Sequence, residues 1–320
     1  MAVYTQVSPD QADALLARLG LGPQQALVPV ASGIENTNYF VSTAEGEWVL
    51  TVFERLAAEQ LPYYLRLMAH LAAHGLPVPA PRPDASGGLV HTLAGKPAAL
   101  VERLPGAPVD APDIHHVALL GSVLARMHLA VADFAMHQPN LRGPAWRAEA
   151  GQHAQAWLQG APAELLRAEL AFQQTLADAP ALAALPQGAV HADLFRDNAL
   201  FDGAPGQEQL SGVFDFYFAG HDHFIYDLAV VLNDWCIDLD SGALDDARAQ
   251  ALLQAYQAVR PLQGAEQRLL PALRRAAALR FWLSRLDDWH RPRDAQLLTP
   301  KDPAHFERVL RHAVDQPWHP

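Results

Sequence analysis

The stretch His191-Ala192-Asp193-Leu194-Phe195-Arg196-Asp197-Asn198, continued by Ala199-Leu200-Phe201 and then Val213-Phe214-Asp215-Phe216, decides how this chain is read. Polar residues at fixed offsets stand at the ends of short apolar runs. Asp202-Gly203 and Gly206 supply turn chemistry between 199–201 and 210–214, which predicts a hairpin carrying carboxylates at both ends. A further short strand is expected at 189–190. A hairpin of this kind holds side chains rigidly and aims them into a cleft, so the chemistry of the chain is expected here.

Outward from this segment the chain divides by pattern. Short runs rich in β-branched and aromatic residues at 26–30, 37–42 and 48–53 predict strands, with Glu45-Gly46-Glu47 turning the last two into a hairpin. A helix is expected over 57–74, where Leu61, Leu65, Met68 and Leu71 form one apolar stripe and Gly75, Pro77 and Pro79 end it. Strands follow near 89–93 and 98–104. Beyond Leu104-Pro105-Gly106-Ala107-Pro108 the pattern turns helical, at about 112–131, 145–159, 162–178, 224–238, 245–259 and 267–289. A strand-rich first third and a helix-rich remainder predict an α+β chain of two lobes.

Composition narrows the function. The 320 residues suffice for two lobes, and 50% hydrophobic with 18% charged residues fits a globular protein. A formal net charge of -12 repels polyphosphate backbones and anionic membranes, so neither is expected as a main partner. One cysteine, Cys236, excludes an internal disulfide and a multi-cysteine zinc site. No signal peptide is visible at Met1–Asp10, and no run approaches the roughly 20 uninterrupted apolar residues of a membrane span. A cytoplasmic location is the expectation.

Phosphoryl transfer needs a carboxylate to orient an attacking hydroxyl and oxygen ligands for metal ions on nucleotide phosphates. The offset from Asp193 to Asn198 is that of the base and metal ligand in the H-R-D-x-x-x-x-N loop, and Asp215 after its apolar strand occupies the place of the D-F-G aspartate. His191 reads as structural. An Asp-rich turn alone would be read as a solvated loop; the ordered set is what points to a kinase-type site.

The H-x-D-L-x-x-x-N-x-L-F and V-x-D-F pattern resembles the aminoglycoside phosphotransferase and choline kinase superfamily. Within it, Gly33-Ile34-Glu35-Asn36-Thr37-Asn38 and Arg280-Phe281-Trp282-Leu283-Ser284-Arg285 resemble the bacterial homoserine kinases of that fold, and the similarity extends over nearly the whole chain. The resemblance implies a bilobal protein-kinase-like fold, with a small β-rich N-terminal lobe (1–103, nucleotide-binding) and a larger helical C-terminal lobe (104–320, catalytic loop and acceptor site). It implies ATP and Mg²⁺ as cofactors and transfer of the γ-phosphoryl group to L-homoserine. Asp193 becomes the base, and Asn198 and Asp215 become the Mg²⁺ ligands. Ser32, Gly33, Asn36 and Thr37 fall on the nucleotide-covering loop, and Glu102 and Leu104 at the connector that receives the adenine edge.

One departure stands out. Relatives in the superfamily carry Lys or Arg on the third strand to hold the α- and β-phosphates, and here Thr51 occupies that place, with Arg55 the nearest cation and Glu59 a doubtful partner. Acceptor contacts are sought among Asn233, Asp234, Trp235, Arg280, Trp282 and Arg285, since an arginine can grip a carboxylate bidentately. Each of these also has a bland reading as a core or salt-bridged residue. Asp227 reads as an acid capping its own helix, and His221-Asp222-His223 as no metal site. Two alternatives stay open: the same chemistry on choline, ethanolamine, hydroxylysine or an aminoglycoside, and a non-catalytic nucleotide-binding module.

Overall fold

The computed structural model describes residues 5–30, 35–291 and 301–320, which fall into two compact units parting after Pro105. The first unit opens with a helix, α1 (Pro9–Arg18), that the hydrophobic pattern alone had not suggested. Its signal was local: Ser8 caps Gln11 N–H, Gln11 reaches back to Ser8, and Pro9 sits at the first helical position.

Five antiparallel strands follow: β1 (Ala26–Pro29), β2 (Thr37–Thr43), β3 (Gly46–Val52), then after helix α2 (Leu61–Ala73) β4 (His91–Leu93) and β5 (Lys96–Glu102). They are ordered β1-β2-β3-β5-β4. The α2 helix starts four residues later than the stripe suggested, because Pro62 belongs in a first turn, where its missing N–H costs nothing. Side chains alternate across the sheet. Tyr39, Val41, Trp48, Leu50, Val52, Ala98 and Leu100 share one core with Ala12, Leu15 and Leu16 of α1. By the register that pairs Asn38 with Thr51 and Thr51 with Ala99, these three side chains stand on the opposite face.

The second unit contains α3 (Ile114–Ala130), α4 (Pro144–Ala154), α5 (Gly160–Ala177) and the short α6 (Pro180–Ala183). Next come β6 (Gln187–Val190), β7 (Ala199–Asp202), β8 (Gln209–Val213) and β9 (Gly220–His223), followed by α7 (Phe224–Trp235), α8 (Asp246–Val259), α9 (Gly264–His290) and α10 (Ala304–Asp315). The expected hairpin is β7–β8. β6 finds its partner in β9, the His221-Asp222-His223 segment read from sequence as a polar cluster. Within that strand the His223 ring lies against its neighbour's carboxylate, Nδ1 to Asp222 Oδ1 at 3.1 Å.

Over Ile114–Asp133 the chain is long and apolar enough to match a membrane span, at mean hydropathy 1.4, yet 56% of that stretch is buried inside the protein. Its burial is explained by α8, against which α3 packs. Gly121 makes the close approach possible: a Cβ there would lie 2.3 Å from the Leu252 carbonyl oxygen. Backbone cannot give way as a side-chain tip can. Gly121→Ala should therefore destabilise the protein by about 1–3 kcal/mol in urea unfolding; an unchanged midpoint would contradict this packing.

Candidate active site

The loop after β6 is fixed by one buried carboxylate. Asp227, fully buried in the first turn of α7, accepts the His191 N–H at 2.9 Å on Oδ2 and the Ala192 N–H at 2.8 Å on Oδ1. It does not cap its own helix, as its position had suggested. Its partners come from a segment 35 residues earlier, so only the tertiary fold reveals them. Ala192 sits at φ +63, in the left-handed region that costs an alanine strain, and the two charged hydrogen bonds hold it there. His128 adds a third bond to Asp227, Nε2 to Oδ2 at 3.1 Å, and its Nδ1 meets the Tyr256 hydroxyl at 2.8 Å. Burial would raise the Asp227 carboxyl, but the hydrogen bonds it accepts from the His128 ring and the His191 backbone hold it below the usual carboxylate range.

His191 has the structural role read from sequence. Its Nε2 reaches the Phe214 carbonyl at 3.0 Å, so Nε2 carries the proton and Nδ1 accepts the Asp193 N–H at 3.3 Å. This ties the loop to the end of β8. The Asn198 Nδ2 donates to the Asp193 carbonyl at 2.8 Å, leaving Oδ1 as an oxygen donor. Phe214 N–H donates to the Asn198 carbonyl, which sets Asp215 beside Asn198 at the open end of the hairpin. Asp215 is itself left-handed, at φ +65. Asn198 and Asp215 thus offer hard oxygens next to the Asp193 loop, a donor set that suits a divalent cation such as Mg²⁺.

Asp193 is paired with Arg280 of α9, whose Nη1 lies 3.2 Å from its Oδ1. Burial pushes the Asp193 carboxyl up to about 7; Arg280 opposes this, and Asp215 and Asp197 add to it. Of the six acceptor candidates, Arg280 is the one paired with Asp193.

The others have different work. Asn233 is fully buried and clamps α7 to α9, donating to the Arg274 carbonyl and accepting from Arg274 Nε. Asp234 takes the Arg196 N–H at 2.9 Å and its guanidinium on both oxygens. The Trp235 indole donates to the Leu194 carbonyl at 3.0 Å. Asp234 and Trp235 are supports of the 191–198 loop, and the polar atoms of all three are already spoken for. Trp282 is a core residue at 1% exposure. Arg285 donates to the Asp302 carbonyl and lies over the Phe306 ring at 4.4 Å. The periodicity of α7 and α9 could not separate these roles, since every one of these residues is helical and polar or aromatic.

In the first unit, Ser32 and Gly33 lie outside the described residues. Asn36 is half-buried just ahead of β2. Thr37 is not free for a phosphate: fully buried, its hydroxyl donates to Glu54 at 2.7 Å and accepts the Thr5 N–H. Thr51 donates to Asn38 Oδ1 at 2.8 Å. Arg55 and Glu59 are exposed. The pairing that sequence reasoning missed is Lys96 with Glu54, which also engages Thr5. Lys96 has the parity of Ala98 and Leu100, the α1 side, so it does not replace a lysine at Thr51. Glu102 and Leu104 line a cleft of about 510 Å³ with Ala69, Ala73 and Leu76.

The buried His128 has a measurable consequence. Desolvation pushes its pKa below 6.5, so it stays neutral in the folded protein where the unfolded chain would take up a proton. Below about pH 6.5 the unfolded state therefore binds more protons, and stability falls with pH. Urea unfolding of His128→Gln should show a shallower loss between pH 7.5 and 5.5 than the parent; an equal slope would show that His128 titrates normally.

Comparison with known proteins gives this geometry its context. The phosphotransferase enzyme family (APH) matches residues 26–262. A homoserine kinase of Polaromonas naphthalenivorans is 54% identical over 318 residues, covering 99% of each chain. One from a Janthinobacterium species is 49% identical over 316 residues, covering 99% of this chain and 97% of the relative. Among solved structures, amicoumacin kinase in complex with AMP-PNP, Ca²⁺ and Ami superposes with a TM-score of 0.69 at 18% identity, covering 99% of this chain and 91% of that one. A spectinomycin phosphotransferase in complex with ADP and spectinomycin gives 0.65 at 13% identity, covering 96% and 95%. The fold is thus protein-kinase-like, as the resemblance implied, and the chain belongs to the phosphotransferase enzyme family, alongside its homoserine kinases.

Proposed function

We propose that this protein is an ATP-dependent kinase that transfers the γ-phosphoryl group to the hydroxyl of L-homoserine, giving O-phosphohomoserine for threonine biosynthesis. The observation that carries the reading is the Asp193–Asn198 loop joined through Phe214 N–H to the end of the hairpin that bears Asp215, in a chain about half identical to homoserine kinases along its whole length. Its acceptor is thereby preferred over choline, ethanolamine, hydroxylysine and aminoglycosides. A purely binding role is disfavoured, since a protein relieved of catalysis has no need to hold a buried carboxylate against Arg280.

In this reading Asp193 orients the acceptor hydroxyl and receives its proton as the oxygen attacks. A carboxyl raised to about 7 is well matched to that task near neutral pH. The loop supports, Asp227 and Asp234, keep Asp193 from moving, so attack geometry is fixed before the substrate arrives. Asn198 Oδ1 and Asp215 would hold the divalent cation, assigned here to Mg²⁺, which neutralises charge on the nucleotide phosphates when bound. Nucleotide contacts are assigned to Ser32, Gly33, Asn36 and the backbone at Glu102 and Leu104; the Thr37 hydroxyl is withdrawn from that set.

Coupled ADP release with Mg-ATP should be strong with L-homoserine and at least a hundredfold weaker with the other four acceptor classes. Turnover confined to one of those would overturn the acceptor. Asp193→Asn should lower kcat by about 10²–10⁴ while nucleotide binding, read by titration, survives; unchanged kcat would remove Asp193 as the base.

A further inference from the structure

Behind the Asp193–Arg280 pair the second unit gathers cations in a chain whose net charge is -12. The Arg280 guanidinium lies 5.0 Å from the Phe218 ring centre, and Arg142 approaches the same ring at 5.9 Å. Arg147 donates to the Arg142 carbonyl and sits 5.7 Å from the Tyr226 ring centre. Three arginines and two aromatic rings therefore form one contiguous neighbourhood reaching the base. Tyr226 feels both Arg147 and Arg280 electrostatically.

Polar atoms in this neighbourhood are left over. Arg280 Nε, Arg147 Nε and the Tyr226 hydroxyl are each buried and lack a hydrogen-bond partner among the described residues. The residues themselves are 3%, 6% and 1% exposed. Unsatisfied buried donors cost roughly 1–3 kcal/mol each, so their coincidence calls for an acceptor. Nearby acids are already engaged. Glu169 is paired with Arg275, Asp222 accepts from Asn140 and His223, and one oxygen of Asp193 takes only Arg280 Nη1. What would satisfy the three donors is an anionic group with several lone pairs and planar geometry, to match the guanidinium fork.

We propose that Arg280, Arg147 and Tyr226 form the subsite for the acceptor's α-carboxylate, placing its hydroxyl at Asp193. The proposal rests on the amino-acid-alcohol reading above and adds to it the residues that choose the acceptor. Arg280 serves both ends: one edge of its guanidinium holds the base, and Nε is the donor turned to the carboxylate. Choline and ethanolamine carry no carboxylate and leave the three donors unpaired. That is the strong form of discrimination, because the penalty is a stranded polar group and not merely a missing contact.

The test compares L-homoserine with 3-aminopropan-1-ol, the same alcohol and amine without the carboxylate, by kcat/KM. The parent should prefer homoserine by about 10²-fold or more. Tyr226→Phe, which removes a single oxygen, and Arg147→Gln should each cut the homoserine-to-aminopropanol ratio at least tenfold, mainly through KM for homoserine. Unfolding midpoints confirm that both variants are folded. A ratio unchanged in both folded variants, with the parent active on homoserine, overturns the subsite and leaves the homoserine assignment intact. A parent inactive on homoserine but active on another alcohol overturns the acceptor reading and, with it, this subsite.

Discussion

The shape of the 191–198 loop depends on one buried carboxylate, Asp227. Asp227 binds two consecutive backbone N–H groups of the catalytic loop, and Ala192 is held at a positive φ as a result. A left-handed non-glycine residue costs about 1–3 kcal/mol. Each hydrogen bond to a charged acceptor contributes about 1.5–3 kcal/mol, so two of them outweigh the strain. The turn they enforce brings Asp193 to Arg280 while His191 ties back to Phe214. Without that clamp the loop would relax, and the offset from Asp193 to Asn198 would no longer have geometric meaning.

Buried charges in this protein are arranged as pairs that constrain one another. Asp193 and Arg280 have side chains 16% and 4% exposed, and removing either partner would strand the other at a cost of about 3–5 kcal/mol. Arg196 and Asp234 fasten the middle of the same loop to α7. The loop is therefore held from both sides by ions already paired within the protein. Such pairs seldom add much net stability, since desolvation offsets attraction, but they do specify a single geometry. A phosphoryl-transfer site benefits from this, because its catalysis lies mostly in positioning and electrostatics.

Much of this was legible beforehand. The β7–β8 hairpin and the long helices followed from periodicity and turn residues, which are local signals. The nearness of Asn198 to the Asp193 backbone and to the strand before Asp215 was legible because the spacing reflects one loop and one hairpin. Helix α1 was equally readable from Ser8-Pro9-Asp10-Gln11, and was missed only because its apolar stripe is short. Thr37 and Asn233 were misjudged for another reason. A polar residue next to a site looks the same in sequence whether it faces a ligand or the protein's own interior; strand parity turned Thr37 inward to Glu54, and helix packing turned Asn233 inward to Arg274.

What the sequence determined by itself was therefore the inventory and the order: a strand-rich part, a helical part, and a polar loop between β6 and a hairpin. Tertiary structure alone decided the partners. Asp227 meets His191 across 36 positions and Arg280 meets Asp193 across 87, separations over which no pattern in a single chain carries information. Short-range periodicity is set by backbone geometry and so is written in neighbouring residues. Pairing of buried charges is set by which helices pack together, and that is known only when the whole core has formed.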